Sequence, residues 1–114
     1  MEKERRRELI RGYKERPLRG LVYAIENQKR GRRLILAETD PQGARNRFAF
    51  FQMTGDCPRS ELAADWRADG PQAFALVELE EIEKKPEQEP EAFREDLKAL
   101  GELWREWEKP ETLY

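Results

Sequence analysis

Two short aliphatic runs, Leu21 to Glu26 and Arg33 to Glu38, stand on either side of the segment Asn27 to Gly31. This spacing constrains the fold more than any other part of the chain. Val22 and Tyr23 favour a pleated strand, and Gly31 supplies a turn residue free to take positive φ. Two strands joined by so short a connection pair antiparallel. The pattern therefore predicts a β-hairpin.

Helices are predicted around it. Pro41 suits a first helical turn, with Asp40 or Thr39 as its cap, and the helix runs to about Thr54 with Gly55 closing it. Phe48, Phe51 and Ala44 form its buried stripe, and Phe50 is surplus. Cys57-Pro58 opens a short helix through Asp69, with Leu62 and Trp66 four apart on one face, and Gly70-Pro71 breaks it. Phe74 to Glu80 alternates as a third strand, and Glu83 to Pro90 reads as a polar, mobile linker. In Glu91 to Glu108 the residues Phe93, Leu97, Leu100, Trp104 and Trp107 are spaced 4, 3, 4 and 3, one continuous apolar stripe. Glu2 to Arg16 is a helix with Leu9, Ile10 and Tyr13 on one side, ended by Pro17.

The predicted class is α+β, a small three-stranded antiparallel sheet flanked by helices. Residues 1–19 form an N-terminal helical extension, 20–108 the domain, and 109–114 a loose tail.

Composition bounds the chemistry. The 114 residues contain no histidine, which excludes a His base, a His metal ligand and every His-dependent triad. One cysteine, Cys57, forms no internal disulfide. No run approaches the ~18–20 apolar residues of a membrane span, and the charged N-terminus lacks a signal-peptide core. The expectation is a soluble cytoplasmic protein without membrane contact. The net charge of −2 divides into +7 for residues 1–50 and −9 for 51–114. Such polarity suits a basic face for nucleic acid or for an acidic partner. It also suits solvated faces that pair with each other.

Several fragments occur in a telling order: Val22-Tyr23-x-Ile25-x-Asn27, Gly31 at the turn, Gly43-x-x-Asn46-Arg47, Leu62-x-x-x-Trp66 with Gly70 and Phe74, and Leu97-x-x-Leu100-x-x-x-Trp104. Together they resemble the GIY-YIG nuclease superfamily, and most closely its short bacterial members. The resemblance implies a metal-dependent endonuclease ancestry. In active members two tyrosines flank the scissile phosphate, a helix arginine stabilises charge, and a glutamate on the last long helix holds one divalent ion.

Mapped here, Tyr23 matches the first tyrosine, and Arg47 (or Arg45) the arginine. Leu34 replaces the second tyrosine, Leu21 and Leu36 the motif glycines, Phe48 a histidine and Gly101 the metal glutamate. Leucines where a phosphate would sit are costly neighbours for it, so the pocket is expected to be filled by core side chains. Glu102 is adjacent to Gly101 but about 100° around the helix.

The expectation is therefore a degenerate domain, catalytically inactive and without a cofactor, that retains DNA or RNA binding. Tyr23 and Arg47 are its catalytic remnants; Arg30, Arg32, Arg33, Arg45 and Arg47 contact phosphates. The plain alternative for Tyr23 is packing on Trp104 or Phe48 with its hydroxyl at the surface. Two other functions stand beside it. One is a protein-interaction or regulatory module, including a homodimer, that uses Trp107, Phe50 and the N-terminal helix. The other is a working endonuclease with a rearranged site of Tyr23, Arg47 and Glu102, loaded with magnesium or manganese.

Overall fold

The computed structural model describes residues 17–114. The predicted N-terminal helix, Glu2 to Arg16, lies outside these residues. The elements are β1 (Arg19–Asn27), β2 (Arg32–Glu38), α1 (Pro41–Thr54), α2 (Ala63–Asp69), β3 (Phe74–Glu83) and α3 (Pro90–Trp107). The three strands form one antiparallel sheet in the order β2-β1-β3. This is the α+β arrangement expected. No helix among the described residues is long and apolar enough to cross a membrane.

The hairpin register runs from Leu21 opposite Glu38 to Asn27 opposite Arg32. Gly31 closes the turn at φ 68°, and its N–H donates to the Asn27 carbonyl at 2.8 Å. The Asn27 side chain is fully buried. Its Oδ1 accepts from the Lys29 and Arg30 N–H groups at 3.0 and 3.3 Å, an Asx turn. Its Nδ2 donates to Asp69 Oδ2 at 2.8 Å, which ties the turn to the end of α2.

Period-2 alternation divides the core between two faces of the sheet. Leu21, Tyr23, Ile25, Leu34 and Leu36 share one face with Ala44 and Phe48 of α1 and Trp66 of α2. Val22, Ala24 and Ile35 share the other with Leu97 of α3. Close approach of α3 to the sheet depends on two glycines. A Cβ on Gly20 would lie 2.7 Å from a Leu97 methyl, and one on Gly101 would lie 3.3 Å from the Ala37 Cβ.

The structure differs from the sequence reading at several ends. Helix α1 has the predicted bounds, with the Asp40 side chain accepting from Gly43 N–H and Gly55 in the left-handed region. The next helix does not begin at Cys57-Pro58. Ser60–Leu62 forms a 3₁₀ turn first, and α2 starts at Ala63. Strand β3 runs three residues further than predicted, because Glu81, Ile82 and Glu83 pair with Leu21, Gly20 and Arg19. A bulge at Leu79 adjusts the register, since Val22 faces Glu80 while Tyr23 faces Glu78. The apolar stripe of α3 ends at Trp104; Trp107 is 65% exposed and meets Trp104 edge-on.

The tail predicted to be loose is docked. Leu113 forms a parallel bridge with Arg33 at the open edge of β2, and the Tyr114 N–H donates to the Arg33 carbonyl at 2.9 Å. The Tyr114 ring lies under the Arg32 guanidinium, 4.3 Å from ring centre to Cζ. Its hydroxyl donates to Asp65 Oδ2 at 2.7 Å.

Candidate functional site

The five arginines expected to meet nucleic acid do not form one surface. Each is held by a carboxylate of the chain itself. Arg30 donates to Asp69 through Nε at 2.5 Å and Nη2 at 3.0 Å. Arg32 lies 3.5 Å from Asp65. Arg33 bonds Glu26 at 3.0 Å and Glu108 at 2.9 Å. Arg45 bonds Glu78 at 2.5 Å, and Arg47 bonds Glu38. Arg32 and Arg33 are also consecutive strand residues, so they point to opposite faces of the sheet. Hydrogen bonds to the carboxylates raise the pKa of Arg30, Arg33 and Arg45 above the ordinary guanidinium value. In return, hydrogen bonds from Arg30 and Asn27 hold the Asp69 carboxyl down at about 2.

Tyr23 is buried on the face that carries Phe48, whereas Trp104 packs on the opposite face. Of the two packing partners considered for it, Phe48 is the one on its side. Its hydroxyl is not free at the surface. It donates to Glu38 Oε1 at 2.8 Å, while Arg47 Nη2 donates to the other Glu38 oxygen. Burial, reinforced by the hydrogen bond to the Glu38 carboxylate, pushes the Tyr23 phenol well above its ordinary pKa. At neutral pH it is a donor, not a base.

Glu38 closes β2 and Asp40 caps α1 two residues later, so the strand-to-helix connection aims two carboxylates at one place. Gly43 permits the cap, because a Cβ there would collide with the Asp40 carboxylate. Arg47 lies in α1 beyond Gly43. Two cavities flank it. The larger, about 560 Å³, runs along the end of β2 and is bordered by Asp40 and Arg47 on one side and by Arg94, Lys98 and Arg105 of α3 on the other. The smaller, about 240 Å³, is lined by Tyr23, Phe48, Phe51 and Arg59. Leu36, Glu38 and Arg47 line both, so the Glu38–Arg47 ion pair forms part of the wall between them.

The larger cavity is basic for a simple geometric reason. Arg94, Lys98 and Arg105 are spaced four and seven apart, which places them on one side of α3. Arg105 Nη2 donates to the Ile35 carbonyl at 2.8 Å. The carbonyls of Arg33 and Ile35 thus both face outward from β2, and the alternation of a strand edge turns the backbone of Ala37 the same way, towards the cavity. Gly101 leaves that space open beside Ala37. Among the described residues, Arg94 and Lys98 take part in no ion pair.

The residues of the rearranged nuclease site are only partly brought together. Tyr23 and Arg47 converge on Glu38. Glu102 is exposed and lines neither cavity, and α3 covers the face of the sheet opposite Tyr23. Leu34 and Leu36 are buried in the core, as expected of a filled pocket, yet cavity remains on both sides of Glu38–Arg47. No group of three His, Cys, Asp or Glu residues suited to a metal ion occurs among the described residues. The sequence reading missed Glu38, Arg59, Arg94, Lys98 and Arg105. The helical spacing of the three α3 cations was visible, but the acidic total of residues 51–114 masked it.

Comparisons with protein-family models, with curated proteins and with solved structures find no match to this chain.

Proposed function

We propose that this chain is a degenerate GIY-YIG-like nuclease domain that binds DNA or RNA phosphates in the cytoplasm without cleaving them. The observation that carries this reading is the convergence of Arg47, Arg94, Lys98 and Arg105 on one cavity beside an open strand edge. Arg94 and Lys98 lack ion pairs among the described residues, so a phosphate meets their charge without first displacing a carboxylate there. Backbone binding needs only such cations, with no catalytic geometry. This assignment moves the phosphate contacts from the hairpin arginines to α3. A protonated Tyr23, a leucine at position 34 and a glycine at position 101 all favour binding without hydrolysis. The endonuclease alternative needs Glu102 and a magnesium or manganese ion beside Tyr23, and the sheet stands between them.

Gel-shift and cleavage assays test the proposal. Supercoiled plasmid, short duplex DNA and single-stranded RNA are each run with magnesium, manganese or chelator over a salt series. The expected result is a salt-sensitive shift without cutting. The double variant R94E/K98E should abolish the shift. Replacing both residues by Ala should lower the slope of log K against log salt by roughly 1–2, about one contact per cation lost. Metal-dependent cleavage that disappears in Tyr23→Phe would overturn the non-catalytic reading.

A second reading has its own observation. Phe50 and Met53 are 53% and 78% exposed on α1, and Leu103 and Trp107 are 44% and 65% exposed on α3. The two pairs lie on helices packed on opposite faces of the sheet, so each would offer a protein partner or a second copy of the chain a separate small contact. A concentration-dependent oligomer with no shift of any nucleic acid would favour that module.

A further inference from the structure

We propose that the Glu38 carboxylate is a built-in competitor for phosphate, occupying an anion position that a phosphodiester takes over on binding. This inference deepens the nucleic-acid reading and rests on it. Three observations support it. First, two donors from different elements, the Tyr23 hydroxyl of β1 and Arg47 Nη2 of α1, converge on this one carboxylate. Carboxylates and phosphates accept the same charge-assisted hydrogen bonds. Second, Arg59 lines the same small cavity, with its Nη2 donating to Glu61 at 3.0 Å. The carboxylate is thus held by a phenol donor and one guanidinium, with a second cation on the wall of the same cavity. Third, the Glu38–Arg47 pair stands where the two cavities adjoin. The side chains are 32% and 53% exposed, so Glu38 has solvent to swing into.

Displacement exchanges one anion for another. Glu38 leaves Arg47 and Tyr23, the phosphodiester accepts their hydrogen bonds, and the two cavities join along the strand end. No covalent bond changes. Glu38 therefore weakens binding in the wild type, and its removal adds Arg47 to the phosphate contacts made by Arg94 and Lys98.

A merely structural Glu38 would serve only as the acceptor that a buried phenol requires. Glu38→Gln separates the two roles, because the amide oxygen still accepts from Tyr23 while the charge is gone. Fluorescence anisotropy with a labelled single-stranded oligonucleotide and with a labelled duplex, at several salt concentrations, reads the result. E38Q should bind about three- to fivefold more tightly than wild type, the range expected for releasing one partly exposed ion pair. Its log–log salt slope should steepen by roughly one contact, and R47A should erase both gains in the E38Q/R47A double variant. Glu38→Ala, checked for cooperative unfolding, should move affinity in the same direction. Wild-type binding with E38Q unchanged or weaker overturns the competitor role and leaves the nucleic-acid reading standing. No binding by either wild type or E38Q overturns both.

Discussion

Asp69 ends a helix near the surface, yet its side chain is only 4% exposed and takes hydrogen bonds from Arg30 and Asn27. Those donors favour the carboxylate, which is why its pKa sits at about 2 in the fold against roughly 3.9 in an unfolded chain. A depressed carboxylate pKa stabilises the fold above the unfolded value and loses that contribution as pH falls through the folded one. Urea midpoints measured between about pH 5 and pH 2 should therefore fall most steeply below about pH 4. Asp69→Asn should lower the midpoint at neutral pH and flatten this part of the acid limb. An unchanged acid limb would contradict the assignment. The sequence placed Asn27 in a turn from its neighbours alone. It carried no local sign of a partner 42 residues away.

At the scale of elements, legibility followed locality. The limits of α1 were readable because Asp40, Pro41 and Gly55 each act within one helical turn of where they stand. The hairpin was readable for the same reason. The tail was not: Lys109-Pro110-Glu111-Thr112 has the composition of a loop, and the groups that capture it lie on β2 and α2. The candidate site was the least legible part. Tyr23 and Arg47 were named, but the carboxylate that joins them and the cations of α3 become neighbours only when the strand end, α1 and α3 meet. The docked tail makes its own prediction. Tyr114→Ala removes a ring stacked on Arg32 and a hydrogen bond to Asp65, and should destabilise the fold by about 1–3 kcal/mol. Chemical denaturation measures the loss. Light scattering of the same variant should report increased association, since an uncovered strand edge pairs with other chains. A midpoint equal to wild type would show that the docking is energetically idle.

Across the molecule, most of the arginines described in the first half of the sequence meet carboxylates of the second. Arg30 with Asp69, Arg32 with Asp65, Arg33 with Glu108 and Arg45 with Glu78 all join residues 1–50 to residues 51–114. Of the two readings of the charge asymmetry, mutual pairing accounts for these arginines, and the basic cavity draws mainly on α3. Such solvent-exposed pairs each contribute little and are screened by salt. Raising KCl from about 10 mM to about 0.5 M, a range over which the screening length shrinks severalfold, should lower the urea midpoint modestly. A midpoint that rises throughout would contradict a net attractive network.

The bridge between Arg33 and Leu113 also bears on how the chain is made. During synthesis the residue that bridges the outer edge of β2, Leu113, is translated long after the hairpin it covers. Throughout that interval β2 presents unpaired peptide groups to whatever is nearby. The nascent chain is thus most open to mispairing before residues 113 and 114 emerge, and a slowed ribosome would lengthen that exposure.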